Sequence, residues 1–399
     1  MKLLFLFLLF TDTLHLSRSE VEQRFLRENL SLMAQRMQIS EAEARVEQEK
    51  RWPNPTLTID QLNLTAPKGQ EVVPPLWGSF GKNRQFGVEL EQIIFTAKKK
   101  RKSIALAERE VQLAHLSFSE LLWESKLQLR QKCTAAQSLR EQISFQQSHL
   151  IEVENILQKM EAHVSTGRIP KKEVVRMRTY LLEQKQNLAE LIAEESEIQL
   201  QLKIWLNTSS FLVITDPLIP DDLEVFEESE RPDLAIKKGL ADYQAQNLIH
   251  RKSERMPDLQ LKAQYDRNGN AMLNFFGLGV SMDLPLWDKK QGAIKEAEWA
   301  KKRSELEVEQ MEWKVQKEKE VAFENLHKAK EFLDAFSADF RQEQKEWLEN
   351  YQKHLLERNT TLLEFLDQAE SSLKALQLYV KAKEAVRLRW EEYRYVKGL

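Results

Sequence analysis

Cysteine occurs once, at Cys133, and glycine and proline only eleven times each in 399 residues. A single thiol excludes an intramolecular disulfide and every CxxC metal or redox motif. The seven histidines form no His-x-x-x-His pair, and no carboxylates stand at metal-ligand spacing. There is no phosphate loop, and Gly277-Leu278-Gly279 is not a dinucleotide fingerprint. These gaps leave no catalytic constellation, no cofactor and no metal site, so the chain does not read as an enzyme. A net charge of −3 with acids and bases mixed gives no reason to expect a nucleic acid as partner. Beyond residue 10 no apolar run approaches the roughly 20 residues of a spanning helix. A passage through a membrane must then be made by strands.

What is abundant is charge, at 30% of residues, over stretches almost free of helix breakers. No proline or glycine interrupts residues 96–165, where Leu106, Leu113, Leu122, Leu129, Leu139, Ile143, Leu150 and Leu157 recur at helical spacing. A helix of that length would extend roughly 105 Å at ~1.5 Å per residue and must pack sideways in a coiled-coil-like manner. At the start, Met1-Lys2 and eight apolar residues (3–10) fit the core of a secretory signal, with residues 1–19 removed by a cut near Ser19.

The chain also repeats itself. A charged helical run stops at Arg51-Trp52-Pro53 and again at Arg255-Met256-Pro257, and each time alternating sequence follows. The first repeat, 20–207, is read as a helix, strands 55–63 and 84–94, a long helix 96–165 and a return helix 171–206. A linker covers 208–230. The second repeat, 231–399, holds a helix, strands 258–266 and 275–285, a long helix 288–357 and a return helix 362–397. In the last hairpin Phe276, Leu278, Val280, Met282 and Leu284 alternate with Gly277, Gly279, Ser281 and Asp283, and Asn268-Gly269 supplies a turn. Strands of nine or more residues with one apolar and one polar face suit a bilayer, the apolar set facing lipid and the polar set a lumen. Trp52, Phe95 and Trp287 fall at strand ends, where an interfacial girdle of aromatics belongs.

The two helix–Pro–strand repeats, the exit Leu284-Pro285-Leu286-Trp287-Asp288-Lys289-Lys290-Gln291-Gly292 and two turns carry a resemblance. The turns are Gly167-Arg168-Ile169-Pro170 and Arg358-Asn359-Thr360-Thr361. In order and spacing these features resemble the TolC-like outer-membrane efflux proteins over nearly the whole chain, most closely the branch serving heavy-metal and multidrug pumps. The resemblance implies a mainly α fold with a small membrane β-barrel part: a long coiled-coil-like α-helical barrel, four strands per protomer, a tandem repeat and a homotrimer. Residues 208–230 would then be the equatorial linker. It implies a passive exit duct in outer-membrane lipid with a long periplasmic portion. Its partners would be a periplasmic adaptor and an inner-membrane pump of the RND type.

By the same resemblance, Glu364 and Asp367 would ring the tunnel constriction, with Lys172 and Arg176 at equivalent positions of the first repeat. Gly167, Arg168, Ile169, Arg358, Asn359 and Thr360 would form the tip at which the adaptor docks. Arg358 departs from the family, which commonly has glycine there. The alternatives are a coiled-coil scaffolding protein of the envelope and the exit duct of a type I protein secretion system.

Overall fold

The alternating segments pair as antiparallel strands in the computed structural model of the chain, which describes residues 12–60, 86–164, 169–219, 228–267, 273–337, 339–357 and 359–399. In chain order the elements are β1 (Thr13–Leu16), α1 (Arg18–Glu28), α2 (Leu30–Lys50), β2 (Thr56–Asp60), β3 (Phe86–Ile94), α3 (Lys99–Val164), α4 (Lys171–Trp205) and β4 (Phe211–Ile214). Then follow α5 (Pro232–Glu254), β5 (Leu259–Arg267), β6 (Asn274–Met282), α6 (Gln291–Asp334), α7 (Phe340–Leu356) and α8 (Leu362–Val396). The Asn268-Gly269 turn, Gly167, Arg168 and Arg358 lie outside the described residues. No described helix is long and apolar enough to cross a membrane.

Two compact units divide the chain, and both repeats contribute to each. One gathers Met37–Ser117 with Leu234–Met311; the other gathers Met1–Arg36, Phe118–Asp233 and Glu312–Leu399. In the first, four strands lie in the order β2-β3-β5-β6, so the hairpins of the two repeats are joined through β3 and β5. The helices of this unit pack closely at Gly239 of α5, where an added Cβ would lie 2.6 Å from the Leu116 side chain of α3. A Cβ there would require the end of the Leu116 side chain to shift.

The second unit holds two apolar clusters. In one, Leu150, Val153, Ile156 and Met160 of α3 meet Val174 and Met177 of α4 and Leu362, Phe365 and Leu366 of α8. Spacings of three and four place each set on one helical face. The other joins Val21 and Phe25 of α1 to Leu129, Cys133 and Ala136 of α3 and to Leu202, Leu206 and Leu212. Cys133 is one more apolar side chain there, and burial pushes its thiol up to about 12.

Three expectations need correction. The first helix is not continuous over 20–51 but breaks at Asn29, whose Oδ1 accepts from Leu32 N (3.0 Å) and whose Nδ2 donates to Trp205 O (3.2 Å). A short amide side chain offers the backbone partners that the helix otherwise supplies. The long helix expected over 288–357 is divided into α6 and α7 without any proline or glycine. There the Phe336 ring leaves the helical path to meet Phe332, Phe340 and Tyr379 at centroid distances of 5.8, 5.0 and 5.3 Å. Strand β6 ends at Met282, so Leu284 is exposed beyond the strand rather than within it.

Part of the segment assigned to the signal takes part in the fold. Residues 13–16 form β1, which pairs in parallel with β4 inside the supposed linker. Ser17 caps α1 in a capping box with Glu20, and Arg18 N donates to Asp216 Oδ2 at 2.6 Å. A cut near Ser19 would strip these contacts away.

Candidate functional site

Register decides what each face of the sheet presents. Gln260 stands opposite Ser281, Lys262 opposite Gly279 and Gln264 opposite Gly277, while Glu91 and Glu89 oppose Lys262 and Gln264 from β3. All of these share one face because side chains alternate with period two. Long polar side chains of β5 thus lie over the small residues of β6. A Cβ at Gly277 would come within 2.9 Å of Gln264 Nε2, and Ser281 Oγ donates to Gln260 Oε1 at 2.8 Å. Lys262 Nζ sits between Glu89 and Glu91 at 3.0 and 3.1 Å.

The opposite face is mainly apolar, with Leu57 and Ile59, Val88 and Leu90, Leu261 and Ala263, Phe276, Leu278 and Val280, while Gln92, Arg267 and Asn274 stand towards its two ends. It is also bare. Phe276, Leu278 and Val280 are 78%, 92% and 65% exposed, and Met282 is exposed as well. A continuous apolar surface of this kind requires a partner other than water. Among the described residues both edges of the sheet, β2 and β6, are unpaired.

Of the expected tip residues, Ile169, Asn359 and Thr360 are described and stand just before α4 and α8, which the Val174–Met177 and Leu362–Leu366 faces bring into one cluster. Ile169 packs against that cluster, and Asn359 is exposed with its amide on Glu357 (3.1 Å). Thr360 Oγ1 donates to Glu364 at 3.4 Å. Glu364, Asp367, Lys172 and Arg176 are all exposed on the first turns of these two helices. Among the described residues no ion pair joins the two acids to the two bases within the chain. Glu364 instead caps its own helix, accepting from Thr361 N and Thr361 Oγ1, both at 2.9 Å, which holds its carboxyl below the usual carboxylate range.

Sequence reasoning missed a buried polar system in the same unit. Thr134, Ser138, Gln142, Gln146 and His149 form a buried stripe on α3. Ser138 donates to Glu384 (2.7 Å), Gln146 Nε2 to Gln184 Oε1 (2.9 Å), and His149 Nε2 pairs with the Tyr180 hydroxyl (2.9 Å). Burial lowers the His149 pKa to about 4. Nearby, Glu391 is fully buried against Arg387 (2.8 Å), Arg394 (3.6 Å), Arg18 and Arg130 (both 3.8 Å). Burial, and then the charge of Arg387, lower the Arg18 pKa to about 10. The spacing of four along α3 was a readable signal, but the partners come from distant segments.

No three histidine, cysteine or carboxylate side chains converge on a metal position among the described residues. What the arrangement provides is surfaces: an apolar sheet face, a polar sheet face, open edges and charged helix starts.

Comparison with known proteins accords with this. Residues 21–207 match the sequence model of the family described as Outer membrane efflux protein. No curated protein matches the chain. Among solved structures, CusC superposes with a TM-score of 0.76 at 14% identity, covering 96% of this chain and 92% of that one. The Campylobacter jejuni CmeC outer membrane channel gives 0.74 at 13%, covering 96% and 85%. The outer membrane protein VceC from Vibrio cholerae gives 0.71 at 14%, covering 96% of each chain. Over residues 21–207 the sequence is thus that of an Outer membrane efflux protein, and over nearly all of its length the chain has the fold of these solved channels.

Proposed function

We propose that three copies of this chain close their sheets into one barrel and form the passive outer-membrane duct of a tripartite efflux system. The observation that carries the reading is the sheet: four strands, a bare apolar face and two unpaired edges. Backbone groups at an open edge cannot be left in hydrocarbon, and four strands cannot close on themselves. Neighbouring copies supply the missing edges, β6 of one protomer pairing with β2 of the next. The polar face with Lys262, Glu89 and Glu91 then lines the water-filled lumen.

In this reading the helices continue as the periplasmic tunnel. Glu364 and Asp367, three residues apart and hence on one helical face, bring two carboxylates per copy to the narrowest point, which favours cations. Lys172 and Arg176 pair with acids of a neighbouring copy when the duct is closed. The turns containing Gly167, Arg168 and Ile169 and Arg358, Asn359 and Thr360 receive the periplasmic adaptor, and an RND-type pump selects the cargo, metal ions or small toxic molecules. A wide conduit needs no tight site, because tight binding slows release.

The test is reconstitution of the purified full chain in a planar bilayer, with heat-modifiable migration as the measure of assembly. Trimers that conduct, and a cysteine in place of Asn359 that crosslinks to a co-expressed adaptor, are expected. A soluble, non-conducting rod would instead indicate a coiled-coil scaffold and overturn the duct.

A further inference from the structure

The chain's modest net charge conceals a local excess. Residues 98–102 read Lys98-Lys99-Lys100-Arg101-Lys102, five bases in succession, at the point where β3 gives way to α3. Register sets Ile94 opposite Leu259 and Leu259 opposite Met282, so the other three strand-to-helix junctions lie at the same end of the sheet. Each brings bases of its own: Arg51 after α2, Arg251 and Arg255 around the end of α5, and Lys289 and Lys290 before α6.

Asp283 is exposed just beyond β6, but four other acids at this end are engaged. Asp258 holds Lys99 (2.8 Å) and Thr96 N (3.1 Å), Glu254 holds Arg251 (3.1 Å), Asp288 holds Lys290 (2.9 Å), and Glu49 accepts from the Ser103 hydroxyl. Among the described residues Arg51, Lys98, Arg101, Lys102, Arg255 and Lys289 have no ion pair. The aromatic residues stand beside them. Trp52 stacks on Phe95 (5.9 Å, 16°), and Lys100 Nζ lies 4.3 Å from the centre of the Trp52 ring. That ammonium has no hydrogen-bond partner. A cavity of about 720 Å³ opens between Arg51, Trp52, Lys100 and Arg251, and the engaged acids Glu49, Glu254 and Asp258 also line it. Trp287, 87% exposed, lies on the segment that leaves the same end of β6.

Uncompensated cations next to interfacial aromatics, at one end of an apolar sheet, match the chemistry of a lipid surface. The rings sit at the headgroup level and the bases just beyond meet phosphate. We propose that this collar binds the phosphate headgroups of anionic phospholipids in the leaflet facing the helices, with the cavity at Arg51, Trp52 and Lys100 as its deepest seat. This rests on the outer-membrane reading above and adds the lipid class to it. A lipid is favoured over free phosphate because the rings and the bare sheet face offer acyl chains a surface beside the cations.

The test is native mass spectrometry of the full chain titrated in detergent with phosphatidylglycerol or phosphatidylcholine, paired with flotation on vesicles of phosphatidylcholine containing phosphatidylglycerol. The wild type is expected to retain phosphatidylglycerol preferentially. The exposed triple variant Arg51→Gln, Arg101→Gln, Lys102→Gln should lose roughly fivefold of that preference per neutralised charge, whereas Lys317→Gln with Lys328→Gln should keep it. Lys100→Met, which preserves the packing on Trp52, is the second variant should the triple one not assemble, and should lower the preference by itself. Equal affinity for the two lipids in a chain that floats with vesicles overturns the lipid inference alone. Displacement of the lipid by millimolar inorganic phosphate overturns the lipid as occupant. A chain that never floats overturns the membrane reading beneath it.

Discussion

Glu364 and Thr361 close a reciprocal ring at the start of α8: the carboxylate accepts from the Thr361 backbone N–H and hydroxyl, and the Thr361 hydroxyl accepts from Glu364 N at 3.3 Å. The acid proposed to line the constriction is therefore also the cap of its helix, and the two roles can be separated. Thr361→Ala removes the cap at a cost of about 1 kcal/mol while leaving the charge, so cation preference in bilayer recordings should persist. Glu364→Ala with Asp367→Ala removes the charge and should reduce that preference. Because the folded pKa of Glu364 is depressed, the cap's contribution is present above the ordinary glutamate range and is lost as pH falls through the folded value. Wild-type selectivity in the double variant would leave capping as the acid's sole role.

The His149–Tyr180 pair makes a second pH dependence with a different window. With its pKa lowered by burial from 6.5 to about 4, His149 is neutral in the folded chain at pH values where the unfolded chain already protonates it. Stability from this residue is complete above about pH 6.5 and is lost as pH falls towards 4, on the order of 3 kcal/mol in total. Thermal unfolding between pH 7 and 4 should show the loss, and His149→Gln should flatten that part of the profile. An unchanged slope in the variant would place the dependence elsewhere.

The two faces of β6 should answer differently to the same charge. Val280→Arg puts a guanidinium on the bare apolar face and should cost about 2–4 kcal/mol if that face meets lipid. Ser281→Arg, on the face with Gln260 and Lys262, should cost much less. The yield of heat-modifiable oligomer measures both, and equal tolerance would sink the assignment of faces.

Alternation made the sheet readable: apart from Ile93 and Phe275, the large apolar residues of all four membrane-type strands fall on one face, because period two is a local property that survives any register. Helical spacing likewise marked Leu129, Leu139, Leu150 and Leu157 as core. What stayed hidden depends on distant partners. Strands β1 and β4 are four residues each and exist only through pairing with one another. The break at Phe336 carries no proline or glycine, and the ring that Phe336 meets there, Tyr379, lies on another helix. The arginines around Glu391 come from α1, α3 and α8. The basic run at 98–102 was plain in the sequence, but averaging charge over the chain dissolved it.

The Glu391 cluster gives a strong stability prediction. Replacing this buried carboxylate with leucine leaves Arg387 buried without its 2.8 Å partner, a change that typically costs about 3–5 kcal/mol. Pairing Glu391→Leu with Arg387→Met should recover much of the loss, because a buried ion pair and a well-packed apolar pair differ little in stability. Denaturant unfolding of the single and double variants completes the cycle. Additive losses would mean that the two residues are not coupled.

The last prediction concerns the mature N-terminus. Residues 13–16 supply β1, Ser17 caps α1, and the Arg18 guanidinium donates to Thr134 Oγ1 (3.1 Å) and Gln137 while approaching Glu391. Removing them would expose β4 and leave Asp216 without the Arg18 N–H, in the region of a packed cluster around Val21 and Leu212. If the apolar run 3–10 is a secretory signal, we propose that its cut falls before Thr13, which keeps these contacts. Intact-mass measurement of the protein extracted from outer membranes should then find a chain that still contains Thr13. A version truncated to begin at Glu20 should be less stable and yield less oligomer. A mature chain beginning at Glu20 with full stability would show that β1 and Arg18 are dispensable, and would restore the cut near Ser19.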